Sequence, residues 1–169
     1  MNWTNDRAYS IFMQTYADKI YKSVLPVKHI TRFERGDNKV HILDKKFHID
    51  CVLTLDNDQI ITLQEKYLRE KFAHFDCFTL EYFNDPATKE IGEWHRLCTD
   101  LYFTGYGSME SGFVSAYLFK VIDVKLAILS GKLKGQLKKT THSRANFYAY
   151  PFKSFKEDWF IYKKLPTAL

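Results

Sequence analysis

The sequence predicts an α/β fold: a sandwich in which helices flank a central mixed β-sheet. Two observations carry that expectation. The first 25 residues show helical periodicity, whereas most of the remainder breaks into short β-branched and aromatic runs between Gly, Asn, Asp and Pro turns. The two clearest runs lie within 47–70, FHIDCVLTLDNDQIITLQEKYLRE, where Asp56-Asn57-Asp58 joins them as a β-hairpin. With 169 residues, no internal repeat and no linker, the chain reads as one domain large enough to bury a core.

The elements follow in order. Residues 6–25 are expected to form a helix. Asp6 can cap it, Phe12, Tyr16 and Ile20 recur at helical spacing beside Met13, Ala17 and Val24, and Pro26 stops it. Its aromatic stripe reads as core rather than ligand site. Strands are expected at 30–35, closed by Gly36-Asp37-Asn38, and at 40–43, followed by the hairpin over 47–56 and 59–67. Arg69-Glu70-Lys71 begins a charged crossing. A strand at 78–83, a turn at Asn84-Asp85-Pro86 and a short helix within 87–96 come next. Strands at 101–106 and 114–121 enclose a loop marked by Gly105, Gly107, Ser108 and Gly112. Asp123 can cap a helix over 124–130 that ends at Gly131. The Lys-rich stretch 132–144 is expected to be exposed and mobile. A strand at 146–152 is expected at a sheet edge because of Pro151, and WFIYKKL closes as a terminal strand or turn.

Bulk properties exclude several classes. No stretch approaches the roughly 18 apolar residues that span a bilayer, so no membrane partner is expected. The N-terminus lacks a basic start followed by an apolar run, so it does not read as a secretory signal. Cys51, Cys77 and Cys98 are too few and too unevenly spaced for a disulfide framework; reduced thiols and a cytoplasmic location are expected. The net charge of +5 is unevenly spread. Residues 1–117 hold 14 Lys and Arg against 17 Asp and Glu; residues 118–169 hold 11 against 3. A basic tract of that kind suits a polyanion, or else is a solvated lysine-rich surface.

The hairpin holds polar groups where buried strands stay apolar: Asp50 on one arm, then Gln64, Glu65 and Lys66 on the other. Alternation puts Gln64 and Lys66 on one face and Glu65 on the other. An acid on one strand, facing an oxygen donor and a lysine on its neighbour, can hold a divalent cation beside a phosphate. The bland alternative is a solvated hairpin with Asp50 and Lys66 as a surface ion pair, worth about 0–1 kcal/mol.

Ile49-Asp50, a turn, and then Gln64-Glu65-Lys66 resemble the PD-(D/E)XK nuclease superfamily, whose pattern is an Asp near one strand end and an acid-x-Lys on the next strand, and which implies a restriction-endonuclease-like sandwich. The Gln-x-Lys form resembles its Mrr-like branch. The wider stretch from Asp44 through His48-Ile49-Asp50 to Arg69 is similar to small phage-type nucleases of the same superfamily. The resemblance implies that Asp50 binds Mg²⁺ or Mn²⁺, that Gln64 supplies its side-chain carbonyl, and that the backbone carbonyl of Glu65 adds a third oxygen. It implies that Lys66 orients the attacking water and stabilises the scissile phosphate. Asp44, Glu34 or Asp18 could supply a further acid, and spacing does not choose among them. DNA is the implied substrate, and members of this fold often work as homodimers. Gln64 departs from the acidic form of the pattern. Two functional readings therefore stand: a metal-dependent deoxyribonuclease, or a catalytically inactive nucleic-acid-binding or assembly module on the same fold.

Two further constellations remain. His74-x-x-Cys77 and His95-x-x-Cys98 have zinc-ligand spacing, but buried small thiols explain such cysteines more simply, and zinc is the weaker reading. Lys132, Lys134, Lys138, Lys139, His142 and Arg144 read as phosphate contacts, and the neighbouring Phe147, Tyr148 and Tyr150 as core. No phosphate-binding glycine loop, dinucleotide fingerprint or Gly-x-Ser-x-Gly elbow occurs. Asp100 has no assigned role.

Overall fold

A computed structural model describes residues 3–33, 42–85, 87–139 and 146–165. The elements in chain order are α1 (Trp3–Val24), β1 (Val27–Arg32), α2 (Ile42–Phe47), β2 (Cys51–Leu55), β3 (Ile60–Arg69), β4 (Cys77–Asp85), β5 (Glu90–Ile91), α3 (Glu93–Arg96), β6 (Leu101–Ser108), β7 (Gly112–Lys120), α4 (Val121–Leu129), β8 (Gln136–Lys139), β9 (Asn146–Pro151) and β10 (Phe160–Lys164). The fold is mixed α/β. Six strands form a central sheet in the order β1-β2-β3-β6-β7-β10. Its neighbours are antiparallel except β3 and β6, which run parallel. A parallel step needs a crossover, and here the crossover contains β4, β5 and α3. The crossover also starts a second, antiparallel sheet, ordered β5-β4-β9-β8.

Alternation along the strands feeds two cores. On one face of the central sheet, Leu53, Leu63, Phe103 and Leu118 pack against α1. Helix α1 presents Tyr9, Met13, Ala17 and Tyr21, a four-residue spacing that keeps one stripe on the sheet. The more visible Phe12, Tyr16 and Ile20 lie at the rim of that stripe. On the other face, Tyr102 and Phe119 pack against Phe78, Leu80 and Tyr150 of the second sheet and Val124 of α4. Strands β6 and β7 are thus covered on both sides, which explains why nearly every residue along them is buried. The Tyr9 hydroxyl ties α1 to two strands, donating to Leu68 O at 2.7 Å and Gly107 O at 2.9 Å.

Several boundaries differ from expectation. Asp6 lies inside α1, not at its cap. Ile42 and Leu43, expected in a strand, begin α2, and Phe47 ends that helix instead of opening the hairpin. Residues 87–96 divide into a turn, β5 and α3. Helix α4 starts at Val121, so Asp123 sits in its first turn and is not the cap. Gln136–Lys139, expected in a mobile stretch, is strand β8. Strand β9 is flanked by β4 and β8, so Pro151 ends an interior strand. Val40 and the turn at Gly36-Asp37-Asn38 lie outside the described residues. No helix among the described residues is long and apolar enough to cross a membrane.

The β6–β7 turn depends on two glycines. Gly112 has φ +70°, the left-handed region that favours glycine. At Gly107 an added Cβ would lie 2.2 Å from the Gly112 carbonyl oxygen and 2.8 Å from Met13 Cε. The first obstacle is backbone and cannot swing away. Gly107→Ala is expected to cost about 1–3 kcal/mol, as overpacking does. Urea unfolding measures it, and a loss below about 0.5 kcal/mol, the range of a neutral surface change, would show that the turn can open.

Candidate active site at the β2–β3 hairpin

Asp50 lies one residue before β2. Its N–H donates to Leu63 O at 3.0 Å, and Cys51 is the register partner of the same Leu63. Two residues therefore lie against one, a bulge that re-aims the side chain at the strand end. The Asp50 Oδ2 atom accepts the Glu65 backbone N–H at 2.9 Å, which places the carboxylate beside the 64–65 peptide. Burial pushes the Asp50 pKa up to about 7; the bond from the Glu65 N–H opposes this, and the charges of Glu65, Asp44 and Glu93 reinforce it. Asp50 lines a cleft of about 320 Å³ with Asp44, Glu65, Arg32, Arg7 and Tyr67.

Glu65 points toward α1, away from Gln64 and Lys66, as alternation predicts. Its carboxylate is fully engaged. The Tyr21 hydroxyl donates to Oε1 at 2.8 Å, and Arg32 donates from Nε to Oε2 at 3.1 Å and from Nη2 to Oε1 at 2.9 Å. Arg32 also bonds the Asp18 carboxylate. Burial alone would lower the Arg32 pKa, but these bonds hold it above its ordinary value. Asp18 is thus committed to Arg32, whereas Asp44 shares the cleft with Asp50. Glu34 lies outside the described residues. The part of Glu65 that reaches Asp50 is its backbone N–H.

Gln64 and Lys66 occupy the opposite face of β3, in register with Tyr102 and Thr104 of β6. The Gln64 Oε1 atom is buried and has no hydrogen-bond donor. Near it, the Tyr102 hydroxyl donates to Glu93 Oε1 at 2.9 Å, and Glu93 itself is buried. Lys66 donates from Nζ to Thr79 Oγ1 of β4 at 2.8 Å, so it does not pair with Asp50. Glu93 is the residue that sequence reasoning missed. The available signal was Tyr102: a tyrosine in a doubly covered strand needs a partner for its hydroxyl.

The basic segment meets this face. Lys138 of β8 is in register with Phe147 of β9, and Phe147 with Glu81 of β4. Partners across a sheet share a face, so Lys138 lies on the same side as Glu81 and Thr79, to which Lys66 is anchored. Burial pushes the Cys77 thiol up and Asp76 adds to it, while Lys66 and Lys138 pull it down. Both ammonium groups therefore act on one locus. Lys132, Lys134 and Lys139 are exposed around β8, and Arg144 and His142 lie outside the described residues.

The zinc-spaced residues have separate surroundings. His74 Nδ1 lies 2.9 Å from Lys71 O, His95 packs on Tyr82 at 4.7 Å between ring centroids, and Cys98 Sγ lies 3.5 Å from Phe47 O. Among the described residues, no three His, Cys, Asp or Glu side chains gather as a metal centre. The side-chain oxygens of Asp50 and Gln64 at the hairpin are of the type a hard cation takes. Asp50 offers a half-buried carboxylate at the cleft, and Gln64 offers a buried oxygen with no donor. Mg²⁺ is commonly held by only one or two carboxylates, completed by water and substrate phosphate. Asp100 proves structural: its Oδ2 accepts the Thr62 N–H at 2.7 Å and Thr62 Oγ1 at 2.8 Å, fastening the start of β3 to the start of β6. Comparison with protein-family models, with curated proteins and with solved structures finds no match.

Proposed function

We propose that this chain is a metal-dependent nuclease hydrolysing phosphodiester bonds in DNA. The observation that carries the reading is the half-buried Asp50 carboxylate, held against the 64–65 peptide in a cleft it shares with Asp44; Gln64, whose carbonyl forms that peptide, adds a buried side-chain oxygen with no donor. Buried acceptors without cationic partners are costly, and a divalent cation relieves that cost. Asp50 and Gln64 would hold Mg²⁺ or Mn²⁺, with Asp44 adding negative charge from the same cleft; the ion supplies charge stabilisation on the phosphate and an acidified water.

The chain's own groups do the rest. Lys66, steadied by Thr79, presents an ammonium to the charge that develops on the scissile phosphate. Lys138, on the same face, and the exposed Lys132, Lys134 and Lys139 neutralise flanking phosphates. Glu65 serves as the partner of Arg32 and not as a metal ligand.

The test is cleavage of linear, single-stranded and branched DNAs with Mg²⁺ and then Mn²⁺. Lys66→Ala is expected to cut at least about 100-fold more slowly, the scale of losing one charge-stabilising donor. Thr79 is half-buried and can turn to water, so the variant keeps its fold. A wild type that binds these DNAs and cuts none with either metal would remove the catalytic assignment. The second reading, an inactive nucleic-acid-binding module, would then hold; the neutral Gln64 in place of an acid is the feature that favours it.

A further inference from the structure

We infer that a second site, an aromatic groove on the other side of β4, takes an unpaired nucleobase, and that the substrate therefore contains a single-stranded tract. The inference rests on the nuclease reading and specifies its substrate class.

The groove encloses about 590 Å³, enough for a nucleotide. One wall is sheet: Tyr82 of β4 and Tyr148 of β9, whose rings meet edge-on at 5.9 Å between centroids. The other wall is the end of α4 and the turn after it, which brings Lys134 to the rim. Trp94 of α3 closes one end. Helix α4 stops at Leu129, so its cover over the sheet ends there and leaves these rings half-exposed.

Three features distinguish the groove from ordinary core. First, the rings of Tyr82, Tyr148 and Trp94 are half-exposed along the groove, so a planar ligand can reach them. Second, cations border the rings. Lys125 Nζ lies 5.1 Å from the Trp94 ring centroid, and Lys134 is exposed at the rim. An apolar or neutral ligand makes no use of these charges, whereas a base carries its own phosphate. Third, Trp94 directly follows Glu93, whose carboxylate reaches the Tyr102 neighbour of Gln64. Glu93 and Tyr102 thus connect the groove to the strand that carries Gln64. A base in a duplex has both faces stacked and cannot offer one to Tyr148 or Trp94, so the occupant is an unpaired base.

The test is binding in EDTA, where no cleavage occurs. A labelled oligothymidylate and a hairpin duplex of equal length are titrated with wild type, Tyr148→Leu and Lys134→Glu, while tryptophan emission is followed in wild type and Trp94→Phe. The single strand is expected to bind more tightly than the duplex and to quench emission that Trp94→Phe lacks. Tyr148→Leu should weaken single-strand binding at least about fivefold, the loss of one stacked base, and Lys134→Glu should weaken it by losing a phosphate contact. Lys134 is exposed, so Lys134→Glu reports on binding without a folding change. Wild-type affinity in both variants overturns the groove, as does quenching by maltoheptaose or an apolar dye in place of the oligonucleotide. The two readings fail separately. If the groove variants bind normally while metal-dependent cutting still requires Lys66, the groove is lost and the nuclease stands. If single strands bind through the groove but are never cut, the nuclease is lost and the groove stands.

Discussion

At pH 8, without divalent metal, Asp50→Asn is expected to melt at a higher temperature than the wild type, and with metal it is expected to cut nothing. Both effects have one cause. Burial moves the Asp50 carboxyl from 3.8 to about 7, so the folded chain holds that proton more tightly than the unfolded chain does. Between those values the native state binds more protons, and stability falls as pH rises. Below pH 4 the cost is absent; above pH 7 it is fully present. At about 1.4 kcal/mol per tenfold change in proton affinity, it is on the order of 4 kcal/mol. Asparagine can still accept the Glu65 N–H and carries no charge, so the variant should lose this slope. A divalent cation should stabilise the wild type and not the variant, increasingly up to pH 7, because the ion competes with the proton. Thermal unfolding from pH 4 to pH 8, with and without Mg²⁺ or Mn²⁺, checks all of this. Parallel stability curves for wild type and Asp50→Asn would mean that the carboxyl is solvated, and the metal site would lose its main support.

The hairpin was readable because each of its signals is local. The Asp56-Asn57-Asp58 turn forms as its residues require, with Asp58 at φ +61° and Leu55 N–H donating to Gln59 O at 2.9 Å. The opposite orientations of Glu65 and of Gln64 with Lys66 follow from the pleat alone. What the sequence hid is non-local. The bulge that aims Asp50 exists only because Asp50 and Cys51 share Leu63 as a partner. Glu93, on α3, is buried and takes its hydrogen bond from Tyr102 of β6. Strand β8 has all four residues exposed, so no apolar period marks it, and pairing with β9 alone makes it a strand. Ile42 and Leu43 read as strand, and Asp44-Lys45-Lys46 as a break, because the six residues of α2 give less than two turns of pattern. The second sheet was invisible for a related reason: β4 and β9 looked like members of the central sheet, and chain order does not say which strands will pair.

Arg32→Ala is expected to cost about 3–5 kcal/mol, the scale for a buried ion pair that loses one partner. The Glu65 side chain is only 3% exposed and that of Arg32 13%, so water cannot replace the guanidinium once it is gone. The orphaned Glu65 would retain the Tyr21 hydroxyl and little else. Arg32→Ala combined with Glu65→Gln should recover much of the loss, since a neutral amide needs no counter-charge. Urea unfolding of the two single variants and the double variant measures the coupling; additive losses would mean that Arg32 acts through Asp18 and not through Glu65. The same variants decide which face of β3 holds the metal oxygen. Arg32, from β1, fixes the strand on which Gln64 and Lys66 stand, but it touches neither of them. Glu65→Gln should therefore keep metal-dependent cutting at temperatures where it stays folded, while Gln64→Ala should abolish it. The reverse pattern would put the ion on the Arg32 side of the strand, with Glu65 exchanging its guanidinium for the metal.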